Sequence, residues 1–179
     1  MNYCSNCGSQ VHLQIPEGDS LERYVCNNCH TIHYLNPRMV VGCLPLWKDK
    51  ILLCKRAIEP RYGKWTVPAG FLENNETAEQ GAIRETVEEA GAQVKIIRLH
   101  SLYSLPHVSQ VYAIYLAQMT SAHFDAGIES LECKFFDVNE IPWDEIAFTA
   151  VTFGLKKYVE NLGKKSNETF IGHLEKLKK

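Results

Sequence analysis

Long apolar runs are missing from this chain of 179 residues. No stretch approaches the ~20 consecutive apolar residues that a helical membrane span requires, so no membrane partner is expected. An excess of one charge is missing as well. Nineteen Lys and Arg stand against 21 Asp and Glu, a formal net charge of −2, which gives no case for a nucleic-acid platform. The first residues lack the charged-then-apolar layout of a secretion signal, and a cysteine pair begins at Cys4, so a cytoplasmic protein is expected. No internal repeat and no low-complexity run is visible. What is present is a chain 45% hydrophobic, enough for one well-cored domain and a small appendage.

The seven cysteines divide into four and three. Cys4, Cys7, Cys26 and Cys29 form two CxxC pairs with 18 residues between them, the spacing of a zinc ribbon. Four thiolates make a closed tetrahedral Zn²⁺ site with no open position for water, so its role should be structural. Two alternatives stand beside this: a pair of disulfides, which the missing secretion signal disfavours, and replacement of one cysteine ligand by His30 or His33. Gly8 and Asn28 fall where the knuckle turns need a positive φ. Cys43, Cys54 and Cys133 lie in apolar segments and read as small core residues.

Residues 70–92 read GFLENNETAEQGAIRETVEEAGA. Thr77 followed by Gln80 is a capping-box pattern, which predicts a helix starting at Thr77, and Gly91 is a natural stop. At ~100° per residue Glu85, Glu88 and Glu89 share one face, while Ile83, Thr86, Val87 and Ala90 fall roughly opposite, towards a core. Like charges three and four residues apart repel by a few tenths of a kcal/mol per pair. A hard divalent cation reverses that sign, and carboxylate oxygens suit Mg²⁺. Three glutamates alone would more often be a solvated acidic face; Gly70, Glu76 and Arg84 at fixed spacing change that reading.

Gly70, Glu76, Arg84-Glu85, Glu88-Glu89 and Gly91 reproduce all seven strictly typed positions of a known signature, and the segment resembles that of the Nudix hydrolases. A chance match is on the order of one in 10^8 per start position. Thr86 and Ala92 stand where the family prefers a larger aliphatic residue, and read as packing variations. The resemblance implies an α/β sandwich of the α/β/α type with a mixed sheet, and hydrolysis of a nucleoside diphosphate linked to another moiety. Carried over position by position, it implies Glu85, Glu88, Glu89 and the Gly70 carbonyl as ligands of Mg²⁺ (or Mn²⁺), with Glu85 and Arg84 in the catalytic set. Arg84 would orient the glutamates by charge-assisted bonds, with Glu76 a helper near the helix start. An acid outside the signature serves as base in several subfamilies; Glu132, in ECKFF, fits that pattern better than Glu129. Arg56 is a candidate phosphate clamp, since its fork suits two oxygens. Trp65, Phe71 and Tyr103 could stack on a base, although aromatics are more often core.

Three segments are expected: the ribbon over 1–36, the hydrolase domain over 37–162, and a tail over 163–179. Strand candidates are VHLQI and LERYVC in the ribbon, then 39–47, 51–56, 93–104, 108–119 and 131–138, with the second helix from Trp143 to about Leu162. Pro45 argues that its strand is an edge or ends irregularly. TFIGHL (169–174) reads as a short strand or a frayed arm. Over residues 4–160 the order of ribbon, NPRMVVGC, LLCKR, GKWTVPAGFLE and signature resembles zinc-ribbon family members that cleave FAD or ADP-ribose. NADH-cleaving members carry a Ser-Gln-Pro-Trp-Pro-Phe-Pro type motif, and SLYSLPHVSQV departs from it. The expected substrate is therefore a dinucleotide or nucleotide sugar, FAD or ADP-ribose before NADH, acted on by a homodimer. A non-catalytic nucleotide sensor or RNA-binding regulator is the reading of another class.

Overall fold

Between Cys7 and Cys26 the chain makes a hairpin. Strand β1 (Val11–Gln14) pairs antiparallel with β2 (Arg23–Cys26), and β2 with the short β3 (Ile32–His33). The buried apolar residues of this part are few, Cys4, Val11, Val25 and Cys26, too small a core to hold the fold without a metal. These strands belong to the first of two compact units, Met1–Pro37 and Arg38–Lys179. The computed structural model describes residues 1–164 and 167–174. The last part of the expected tail, 175–179, lies outside the described residues.

The second unit is built on a mixed sheet. Its strands are β4 (Arg38–Trp47), β5 (Lys50–Arg56), β6 (Trp65–Thr66), β7 (Ala69–Phe71), β8 (Val94–Leu105), β9 (Gln110–Met119), β10 (Ser130–Asp137) and β11 (Phe170–His173). The order is β10-β5-β4-β9-β8-β11, with β6 beside β5 and β7 beside β4. β4 runs parallel to β9 and β11 parallel to β8; the other pairs are antiparallel. TFIGHL thus contributes a strand. Pro45 does not mark an edge: β4 is central. Its other side is paired to β7 over Val40–Gly42 and to β5 only from Leu46, so the missing N–H of Pro45 falls in the gap between those ladders.

Helix α1 (Ala78–Ala90) begins as its sequence dictates. The Thr77 hydroxyl accepts from the Gln80 amide and the Gln80 side chain accepts from the Thr77 amide; Gly91, at φ 57°, ends the helix in the left-handed conformation. Ala82, Thr86 and Ala90, at i, i+4 and i+8, are completely buried on one face of the sheet, in a cluster with Val41, Cys43, Leu52 and Ala117. Small residues let the helix sit close. That orientation corrects one expectation: Val87 is 37% exposed, while Glu85 and Glu89 are buried beside the packing stripe. Thr86 fits its buried place because its hydroxyl donates to the Ala82 carbonyl at 2.7 Å.

Helix α2 (Thr149–Glu160) covers the other face, placing Ala150, Val151 and Leu155 against Leu44, Leu53, Trp65 and Ile114. It starts later than its periodicity suggests, because Trp143–Glu145 forms a separate 3-10 turn. The result is the expected α/β/α sandwich with a mixed sheet. Among the described residues, no helix is long and apolar enough to cross a membrane.

Candidate active site and metal centre

α1 turns its carboxylates into a cleft of about 700 Å³. Six glutamates line it (Glu59, Glu73, Glu85, Glu88, Glu89 and Glu129) against two arginines, Arg56 and Arg84. Such a cleft repels a polyanion unless cations enter it.

Arg84 binds the acids together. Its Nε and Nη2 donate to both oxygens of Glu76 at 3.0 and 2.8 Å, and its Nη1 donates to Glu85 at 2.6 Å and to Glu88 at 3.0 Å. A further N–H bonds the Phe71 carbonyl at 3.1 Å. The paired guanidinium holds the Glu76 carboxyl down to about 2. Glu76 in turn accepts from the Glu73 amide at 2.8 Å, which fixes the loop between β7 and α1. Glu89 is 6% exposed, and burial pushes its pKa up to about 8 against a single amide bond from Ala69 at 3.2 Å. Burial raises Glu85 also, with Arg84 pulling the other way. Glu89 thus lacks the hydrogen bonds that would keep a buried carboxylate charged, the condition a bound cation relieves. A Cβ at Gly70 would displace the Glu85 carboxylate from its place.

The loop after β9 is tied to the end of α1. The Asp125 amide donates to the Ala90 carbonyl at 2.8 Å, and the Gly127 amide donates to the Glu89 carbonyl at 3.1 Å. No Cβ fits at Gly127 because the Glu88 carbonyl occupies its place. These bonds satisfy carbonyls that a helix end otherwise leaves open and bring Glu129 to the cleft. Glu132 is not brought there. It is exposed in β10, one residue before Cys133, whose sulfur lies 3.5 Å from the Glu89 carbonyl. Side chains alternate along a strand, so if Cys133 faces α1, Glu132 faces away.

Arg56 is 8% exposed, donates from Nε to the Pro60 carbonyl at 3.0 Å, and lies 5.0 Å over the Phe148 ring. Of the three aromatic candidates only Phe71 faces the cleft, 43% exposed beneath the Arg38 guanidinium; Trp65 and Tyr103 are core. Tyr112, Gln110 and Phe148 also line the cleft and were not singled out by sequence. A period-two reading of β9 beside β4, whose Val40 lines the same cleft, was the available signal for Gln110 and Tyr112.

In the first unit the sulfurs of Cys4, Cys7, Cys26 and Cys29 all lie within 4.8 Å of one another. The Cys4–Cys29 and Cys7–Cys26 separations are 3.6 and 3.5 Å. A tetrahedron with ~2.3 Å Zn–S bonds has edges of about 3.8 Å, so the donor set fits Zn²⁺. Hydrogen bonds from Thr31 lead the effects that hold the Cys29 thiol down to about 5. His33 Nε2 is 3.3 Å from the Cys4 sulfur, beside the four-sulfur set and not within it. His30, not Asn28, takes the positive φ (56°), at the place in the second knuckle that Gly8 (74°) holds in the first.

Helix carboxylates held by an arginine in a cleft of the second unit, and four clustered cysteines in the first, point to a class of hydrolase. Residues 36–161 match the family described as NUDIX domain, and residues 2–35 match the one described as Nudix N-terminal. The chain belongs to the Nudix family of hydrolases. It is 54% identical to a NUDIX hydrolase from Nitrosomonas europaea of known crystal structure, with a TM-score of 0.94 over 98% of this chain and 100% of that one. It is 34% identical over 115 residues to the ADP-ribose pyrophosphatase of Methanocaldococcus jannaschii, 61% of this chain and 67% of the relative. It is 32% identical over 147 residues to the NAD-capped RNA hydrolase NudC of Vibrio atlanticus, 79% of this chain. The chain spans about half the length of that relative (51%).

Proposed function

We propose that this enzyme hydrolyses the diphosphate bridge of an adenylate-containing substrate, FAD or ADP-ribose foremost, and releases AMP. The observation that carries the reading is the group of three α1 glutamates, Glu85 and Glu88 tied by Arg84 and Glu89 held by the Ala69 amide, in a cleft that also holds Arg56 and Glu129. Glu85, Glu88, Glu89 and the Gly70 carbonyl would hold Mg²⁺ or Mn²⁺, which suits their hard oxygens. When bound, the cation supplies charge neutralisation of the diphosphate and a lowered pKa for water. Arg84 keeps the carboxylates aimed, and Arg56 clamps a phosphate oxygen with the N–H groups that Pro60 leaves free. Glu129 takes the proton from the attacking water, in preference to Glu132. Water adds to one phosphorus, the bridging P–O bond breaks, and the products are AMP with FMN or ribose 5-phosphate. Zn²⁺ on the four cysteines is structural.

A second reading is cleavage of NADH or of an NAD cap on RNA. Relatives that bear the name NAD-capped RNA hydrolase favour it as much as the ADP-ribose relative favours the first. AMP release from FAD, ADP-ribose and NADH, and release of nicotinamide mononucleotide from NAD-capped RNA, compared side by side with Mg²⁺, test both. FAD or ADP-ribose ahead of NADH by ~10-fold in kcat/KM, about 1.4 kcal/mol, is the expected result. NADH or capped RNA consumed first would establish the second reading, and no cleavage of any would contradict both.

A further inference from the structure

Ile128 is 99% exposed, although it sits on the rim of the cleft one residue from Glu129. A single exposed isoleucine is ordinary on a mobile loop. This one is held on both sides. Gly127 donates to the Glu89 carbonyl at 3.1 Å and accepts from the Ser130 amide at 3.0 Å. The Glu129 carbonyl accepts from the Ala57 amide at 2.8 Å.

That last bond brings a second aliphatic side chain to the same rim. Ile58, next to Ala57, is 38% exposed and lines the cleft as well. Its own loop is closed by Gly63 donating to the Arg56 carbonyl at 2.9 Å and Arg56 donating to the Lys64 carbonyl at 2.9 Å. Two water-exposed isoleucines on tied backbones therefore form an apolar lip on a cleft whose floor is carboxylate. Neither the sheet nor a helix needs them for packing, and exposed aliphatic surface at a polar cleft is a recognition feature.

We infer that Ile58 and Ile128 form a specificity lip that covers a planar heterocycle on the half of the substrate beyond the diphosphate. This rests on the proposed function and sharpens it. With the diphosphate at the α1 glutamates and one nucleotide half in the cleft, the other half leaves past the rim beside Glu129. A ribose 5-phosphate half is all hydroxyl and phosphate and leaves the lip wet. A flavin or nicotinamide ring removes it from water. The substrate class is therefore a dinucleotide with two heterocycles, in preference to ADP-ribose.

The test compares wild type with Ile128→Ser and the double variant Ile58→Ser/Ile128→Ser. Ile128 is fully exposed, so its substitution leaves the core alone; bound zinc and thermal melting check the fold. The readout is kcat/KM for FAD relative to ADP-ribose. The ratio should exceed ~5 in wild type and fall at least ~5-fold in Ile128→Ser, through KM and not kcat. An unchanged ratio in both variants would overturn the lip. So would sedimentation showing that Ile128→Ser splits a dimer with no change in the ratio, since a second copy then covers the isoleucines. If wild type cleaves neither compound, the proposed function fails separately. The lip is then judged by flavin-fluorescence binding of FAD with ADP-ribose as competitor, where equal loss for both ligands, or none, overturns it.

Discussion

Exchanging Glu129 for Gln, with Glu132→Gln as its control, separates two acids that sequence alone could not rank by geometry. Gln keeps the size of Glu129 and leaves the backbone bond from Ala57 to its carbonyl intact, so the loop should hold. What is lost is one proton acceptor at the cleft. Loss of a positioned general base costs ~10²–10⁴-fold in kcat, or about 3–5 kcal/mol of barrier. Glu132 is exposed on β10, one alternation step from Cys133, which faces α1. A surface exchange of that kind is worth within about 0.5 kcal/mol, roughly twofold. The assay is AMP release at saturating substrate and Mg²⁺, with the pH profile of kcat recorded for each protein. Glu129→Gln should also flatten the acid limb of that profile. Near-normal turnover in Glu129→Gln together with a crippled Glu132→Gln would refute the alternation argument and restore the acid favoured by the sequence pattern.

Arg84→Lys should lose the two-pronged grip on Glu76 and lower activity ~10–100-fold, with weaker metal affinity in a Mn²⁺ titration, because an ammonium cannot serve both Glu76 oxygens and Glu85 in fixed geometry. Metal binding should release close to one proton at pH 7, since the metal-free Glu89 carboxyl titrates at about 8. Apparent metal affinity should rise up to ~10-fold per pH unit below that value and level off above it, read by calorimetry in buffers of different ionisation enthalpy. The stability of the metal-free protein should follow the opposite trend. A folded pKa above the unfolded one (~4.3) gives stability that is full below the unfolded value and is lost as pH rises through about 8, so its melting temperature should fall across that window. Elemental analysis should find about one zinc per chain, and chelation should release the four ribbon thiols to a thiol reagent while melting residues 1–37 before the sheet.

The ends of α1 were legible because capping is local: Thr77, Gln80 and Gly91 dictate the helix without help from the rest of the chain. The packing face was less legible. Period counting placed Val87 in the core, yet a stripe of Ala82, Thr86 and Ala90 let the sheet approach closely and turned the helix so that Val87 faces out. Pro45 misled for a related reason. Strand edges are set by which neighbour pairs where, and the gap between the β7 and β5 ladders is a property of the whole sheet. The ligand set of the cysteine cluster follows from spacing, but the residue that takes the left-handed turn does not, since His30 carries no local signal for it. Among site residues, those inside the signature share one helix and one turn. Glu129, Tyr112 and Phe148 arrive from three other segments, and only the docking of the 120–129 loop on the end of α1 brings Glu129 to them.

The central claim is that the α1 carboxylates act through a divalent cation on a diphosphate bridge, and Glu89→Gln tests it most directly. Glutamine nearly preserves the volume and can still accept from the Ala69 amide, so the fold should stand. Measured as AMP release from FAD and ADP-ribose across a Mg²⁺ titration, kcat should fall at least ~100-fold, with the remaining activity needing more metal. Turnover within a few fold of wild type at saturating Mg²⁺ would contradict the assignment of these glutamates as the cation site.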